Sequence, residues 1–143
     1  MKENFYEIAL QIRTLSFNLL SNFHWYGDKK LQQLLISDQF ARIIVQLISI
    51  CGGIGEYNTN RIEDSLSTIS QLLTGFRGTD IMRDYLQPES ELLQITIEEI
   101  EDEGGQEEVD ANQFHMKGSE DEISDNAKWV MIDLINSFKD ISN

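Results

Sequence analysis

Carboxylates are the most abundant side chains of this sequence that could do chemistry, and most of them lie within residues 89–125, here called the acidic segment. It holds fourteen Asp and Glu residues and one lysine, so its formal charge is −13, against −14 for the whole chain. Residues 1–88 carry nine acidic and eight basic side chains, and residues 126–143 carry two of each. The negative charge is therefore confined to one part of a chain that is otherwise nearly neutral.

Clustered carboxylates can bind metal ions, but the spacing here fits no established metal site. A calcium loop alternates oxygen ligands around a central glycine, whereas residues 102–107 (DEGGQE) hold the oxygens without the alternation. A di-iron bundle requires Glu-x-x-His pairs, and neither His24 nor His115 has a glutamate three residues before it. One cysteine and two scattered histidines do not make a zinc site. We therefore expect no metal and no cofactor.

Catalytic motifs are not evident either. Cys51, the single cysteine, ends an apolar run, so we expect a core residue that forms no internal disulfide, as is usual in a reducing compartment. The glycine-rich residues 50–55 (ICGGIG) follow a predicted helix and lack the Gly-Lys-Ser/Thr of a phosphate-binding loop. With no constellation of catalytic groups, we expect that the protein is not an enzyme.

The charge favours one class of partner. A chain with pI near 4.3 is repelled by nucleic acid and by anionic membranes, and attracts basic proteins. The N-terminus has no apolar segment of a signal peptide. The most apolar run, residues 43–51, is far shorter than the roughly 20 residues that span a bilayer. We expect a cytoplasmic protein that binds neither nucleic acid nor membrane directly, and whose partner is a basic protein.

Apolar residues at steps of three and four predict an all-α protein. Residues 3–23 should form a helix with an apolar face of Phe5, Ile8, Ala9, Ile12, Leu15, Leu19 and Phe23. Gly27 should end that helix, and Asp28 should cap a short one. Further helices are predicted over residues 28–36, 40–51, 60–76, 81–86 and 124–143, and the helix over 40–51 is the candidate for a central buried position.

Residues 92–103 fit two patterns. Their apolar positions match a helix, whereas Leu93, Ile95 and Ile97 alternate as in a strand. We favour the helix because no second strand of similar quality exists to pair with it. Residues 104–123 then form a long acidic irregular loop before the C-terminal helix. The expected architecture is a single-domain bundle, residues 1–143, of about six helices.

The acidic segment is the candidate binding surface. Charge steers a basic partner and accelerates association, and an aromatic or apolar anchor adds affinity. The alternative is a solvated linker whose charge only keeps the protein soluble. The predicted partner-binding residues are Glu98, Glu99, Glu101, Asp102, Glu103, Glu107, Glu108, Asp110 and Phe114.

In size, in acidic character and in its lack of catalytic groups, the chain resembles bacterial immunity proteins, those of contact-dependent growth inhibition systems in particular. The resemblance implies a cytoplasmic inhibitor that binds and neutralises a cognate toxin, often a basic nuclease such as an RNase, by covering or distorting its active site. Two alternatives remain open. One is a phage-type mimic of nucleic acid that blocks a host nuclease, and the other is a non-catalytic structural or adaptor subunit with the acidic loop as a tether.

Overall fold

The computed structural model describes residues 2–52, 59–83, 87–114 and 122–143. These residues form seven α-helices and no strand, so the predicted all-α class is confirmed. The helices are α1 (Lys2–Tyr26), α2 (Lys29–Ser37), α3 (Phe40–Gly52), α4 (Thr59–Arg77), α5 (Ser90–Asp102), α6 (Gly105–Gln113) and α7 (Glu122–Ile141). The segment that fitted either a helix or a strand is helical, as predicted.

The chain divides into two compact units, an N-terminal unit of Met1–Asp38 and a C-terminal unit of Gln39–Asn143. The predicted single-domain bundle is therefore not confirmed. The sequence of the N-terminal unit contains four acidic and four basic side chains, not counting histidine, so the formal charge of −14 belongs to the C-terminal unit. The two units thus differ sharply in electrostatic character.

The N-terminal unit is a hairpin of α1 and α2, and its turn depends on Gly27. A Cβ atom there would overlap the carbonyl oxygen of Phe23 and come within 2.9 Å of Leu31 Cδ2, so any larger residue would push the two helices apart. The helix α1 continues to Tyr26, slightly further than predicted. The predicted cap is confirmed, because Asp28 Oδ1 accepts the backbone N–H of Leu31 at 3.0 Å.

The apolar face predicted for α1 lies along one side of the helix but is not buried. Phe5 is 78% exposed, Leu15 68% and Leu19 53%. The buried side chains of this unit include Phe17 and His24, which the predicted face did not contain. A helix whose main apolar face meets water is unusual and needs a physical explanation.

The C-terminal unit holds a close-packed core in which α4 contacts α3, α5 and α7, and α6 contacts α7. The side chains of α3 that face this core are at most 2% exposed, but the helix that packs most extensively is α4, not the predicted central helix α3. The buried residues of α3 are Phe40, Ala41, Ile44, Val45 and Ile48. Ile43 of the same helix lies outside this buried face and is 40% exposed. The side chain of Cys51 and residues 53–55 of the glycine-rich sequence lie outside the described part of the structure.

The predicted loop over residues 104–123 is wrong for its first half, where the chain forms α6. Gly104 takes φ +69° and turns the chain at the end of α5. Gly105 then begins α6 against Ile100, and a Cβ atom at this glycine would lie 2.6 Å from Ile100 Cγ2. Val109, which is fully buried, fixes α6 to the core. Residues 115–121 of the predicted loop lie outside the described residues.

The short helix predicted over residues 81–86 is a 3-10 turn over Ile81–Arg83, and residues 84–86 lie outside the described residues. Arg83 is buried and its Nε lies 2.8 Å from Asp80 Oδ2, while its Nη2 donates to the carbonyl oxygen of Gln71 at 2.8 Å. The element that follows α4 is therefore a 3-10 turn held by the contacts of Arg83, not the predicted helix.

Candidate functional site

The predicted partner-binding residues lie on α5, on α6 and on the turn between them. Residues 89–114, which span these helices, contain ten carboxylates and no lysine or arginine. Since α5 and α6 are both packed helices, the backbone positions from which these side chains project are fixed. Within the predicted partner-binding set, three carboxylates are engaged within the protein and four are directed to solvent.

The engaged group surrounds Arg42 of α3. The guanidinium of Arg42 places Nη2 3.3 Å from Asp102 Oδ2 and Nε 3.1 Å from Glu103 Oε1. Glu103 Oε2 also accepts Gln46 Nε2 at 3.1 Å. These contacts join the C-terminal end of α5 to α3. Asp102 and Glu103 thus have an internal role that their sequence positions did not reveal.

Glu99 is the most internal member of the predicted set, with only 8% of its surface exposed. Its Oε2 accepts the backbone N–H of Arg42 at 3.4 Å, within the first turn of α3. Burial raises the pKa of Glu99, while the backbone N–H groups of Arg42 and Ala41 and the positive charge of Arg42 oppose that shift. A carboxylate in this place satisfies helix N–H groups that have no partner within the helix.

The outward group consists of Glu98, Glu101, Glu107 and Asp110, all exposed. Glu98 accepts Gln94 Nε2 at 3.0 Å, and no basic side chain in the described parts of the chain forms an ion pair with any of the four. Their field is therefore not neutralised by those parts of the protein. Glu108, also in the predicted set, is half-buried, and Phe114 at the end of α6 is 74% exposed.

A shallow groove of about 520 Å³ lies between α6 and α7 and contains two members of the outward group. It is lined by Gln106, Glu107, Asp110, Gln113 and Met131. Two carboxylates beside a thioether suit an extended lysine or arginine side chain. Its methylene groups would contact the sulfur, and its cationic end would reach the carboxylates.

The sequence pattern does not identify Met131 as part of the site. Met131 follows Val130 and lies three residues before Leu134, a spacing that by itself groups it with core positions of α7. In the structure Val130 and Leu134 are buried and Met131 is half-exposed at the groove. The same helix exposes Trp129 and Ile132, at 63% and 46%. Exposed aromatic and apolar side chains of this kind are typical anchors of protein interfaces.

Other ligand classes find little support in the described residues. No three of the His, Cys, Asp and Glu side chains there come close enough together to hold a metal ion. No helix in those ranges has the length and apolar character needed to cross a membrane. Comparisons of the chain with protein-family models, with curated proteins and with solved structures found no significant match.

Proposed function

We propose that the protein is a non-catalytic, cytoplasmic inhibitor that binds a basic protein, a toxin nuclease of the RNase type, through the outward carboxylates of α5 and α6. The observation that supports this proposal most is the packing of α6. Glu107 and Asp110 lie on a helix that Val109 fixes to the core, next to a groove that suits a basic side chain. A tether would not fix the backbone of either residue relative to the other.

The physical basis is competition for a positive field. The cleft of a ribonuclease attracts polyanions, so a surface with closely spaced carboxylates is attracted to the same place. Charge speeds association, and retention then depends on a desolvated centre. The groove offers such a centre, because a lysine or arginine of the partner would bury its methylene groups on Met131 between Glu107 and Asp110.

The test is a pull-down from the source cell with the chain as bait, washed first at low and then at high salt. The matched variants are Glu107→Gln/Asp110→Asn, which removes two charges at the groove, and Glu7→Gln/Asp38→Asn, which removes two exposed charges from the N-terminal unit. Far-UV circular dichroism verifies that both variants fold. We expect the wild type and the N-terminal variant to retain one basic protein at high salt, and the groove variant to lose it.

The captured protein is then assayed for hydrolysis of RNA with and without the chain. Loss of hydrolysis on addition of the wild type supports an inhibitor. Capture of many basic proteins that all dissociate at high salt would show that the charge acts nonspecifically. Equal retention by the groove variant would exclude Glu107 and Asp110 as the binding centre.

A further inference from the structure

A second surface, independent of the acidic helices, lies on α1. Its apolar residues follow the heptad spacing of three and four residues, which is the pattern of a helix that pairs with another helix. They are Phe5, Ile8, Ile12, Leu15 and Leu19, and Tyr26 continues the pattern after Asn22. These six apolar residues are here called the α1 seam.

The α1 seam is large enough for a stable interface. Phe5 and Tyr26 at its ends are 78% and 80% exposed, and Leu15 at its centre is 68% exposed. With about 200 Å² for a fully exposed large side chain, the six residues leave roughly 800 Å² in water. That area matches the roughly 800 Å² per partner of a standard protein interface.

The flanks of the seam suit a second copy of the same surface. The heptad positions on either side of it include Ala9, Gln11, Ser16 and Asn18, none of which is charged. Two copies of this face would therefore bring no like charges together across the flanks at these positions. The sequence of the N-terminal unit has equal numbers of acidic and basic residues, so two such units have little net repulsion. The negative charge of the chain lies in the other unit.

We infer that the chain forms a homodimer in which the α1 seams of two copies pack against each other. Each copy supplies the same surface, as in a two-fold symmetric dimer. Pairing removes the seam of both copies from water, which explains why α1 has a long apolar face that its own hairpin leaves exposed. Asn22 is a polar interruption of the heptad pattern, and polar residues at such positions restrict register.

Analytical ultracentrifugation over a wide range of concentration tests the dimer. We expect the wild type to sediment at twice the 16.5 kDa chain mass and to dissociate on dilution. Leu15→Glu, which places a charge at the centre of the seam, should shift the protein to monomer with its helical content retained. Tyr6→Glu adds the same charge on α1 outside the seam, at a side chain that is 60% exposed, and should leave the dimer intact.

The effect of salt distinguishes dimer formation from the proposed binding of a basic partner. The two C-terminal units of a dimer repel each other, because each carries a formal charge of −14. Added salt screens that repulsion, so the dimer should become tighter as salt rises, whereas binding to a basic protein should weaken. The dimer can therefore be present whether or not the proposed function is correct.

Cross-linking keeps the inference testable if Leu15→Glu fails to fold. In a Cys51→Ser background, Leu15→Cys should form a disulfide-linked dimer on mild oxidation, and Arg13→Cys, away from the seam, should not. A wild type that stays monomeric at every concentration would overturn the inference. So would equal dissociation of the Leu15→Glu and Tyr6→Glu variants, or equal cross-linking at both cysteine positions.

Discussion

Replacing Glu99 with alanine tests whether the engaged carboxylates are structural. The Glu99 carboxylate accepts the backbone N–H of Arg42 and lies beside that of Ala41, at the start of α3. Alanine removes the acceptor and leaves partly buried N–H groups without it. An unsatisfied buried donor costs about 1–3 kcal/mol, so the free energy of unfolding should fall by about that amount.

Glutamine at the same position refines the expectation. Glu99→Gln keeps an oxygen that can accept the N–H of Arg42 but removes the negative charge. Burial raises the pKa of Glu99, which means that the surroundings penalise its charged form. Glutamine has no charge and avoids that penalty, which offsets part of the stabilisation lost with the carboxylate. Glu99→Gln should therefore destabilise the protein less than Glu99→Ala.

Urea unfolding followed by circular dichroism measures these differences, with Glu98→Ala as the matched control. Glu98 is the neighbouring residue on α5 but is exposed, and a surface substitution of this kind changes stability by no more than about 0.5 kcal/mol. Equal midpoints for Glu99→Ala and Glu98→Ala would show that the Glu99 carboxylate does not stabilise the fold. Equal destabilisation by Glu99→Gln and Glu99→Ala would show that an uncharged acceptor does not replace it.

Two further predictions concern the packing of the C-terminal unit. Burial raises the pKa of Asp133, so the carboxyl group of Asp133 binds its proton more tightly in the folded protein than in the unfolded chain. The contribution of Asp133 to the free energy of unfolding therefore falls as pH rises from about 4 through the raised pKa. Asp133→Asn should therefore reduce the fall in unfolding free energy over that range, measured by urea titrations at several pH values. Asp125→Asn, at an exposed position, is the control. An equal effect of both variants would contradict the assignment of this pH dependence to Asp133. Gly105→Ala should lower the free energy of unfolding in urea by about 1–3 kcal/mol through overpacking, because its Cβ would lie 2.6 Å from Ile100 Cγ2. An unchanged free energy of unfolding, as we expect for Gln106→Ala, would show that α6 can move to accommodate the added methyl group.

The positions of most helices could be predicted from the sequence because apolar spacing reports helix phase. The prediction failed for α6, whose sequence GQEEVDANQ contains a single large apolar residue, Val109. One buried side chain gives no period to detect. This helix depends on the tertiary contacts of Val109 and on the close approach of Gly105 to α5, which sequence composition does not record.

Charge composition defined the candidate site but did not indicate which of its carboxylates face water. Glu98 and Glu99 are adjacent and identical in type, yet only Glu99 is buried. The steps from Leu92 to Thr96 to Glu99 are four and three residues, so helix phase alone would have placed Glu99 on the inward face. The ion pairs of Arg42 join residues about sixty positions apart in the chain and required the fold.

The face of α1 shows a different limit of periodicity. The spacing correctly predicted an apolar face, since the α1 seam lies along one side of the helix. Periodicity does not reveal whether such a face packs within its own chain or against another molecule. Exposure supplies part of that information, because a seam that its own hairpin leaves in water is available to a second molecule.

The binding of the retained basic protein to purified chain tests the central claim most directly. Isothermal titration calorimetry would compare the wild type, Glu107→Gln/Asp110→Asn and Glu7→Gln/Asp38→Asn at two salt concentrations, with RNA hydrolysis followed in the same mixtures. The proposed function predicts that the groove variant binds at least about tenfold more weakly, a change of about 1.4 kcal/mol, and inhibits correspondingly less. It also predicts that the N-terminal variant matches the wild type. Equal affinity for all three proteins, or binding without inhibition of hydrolysis, would contradict it.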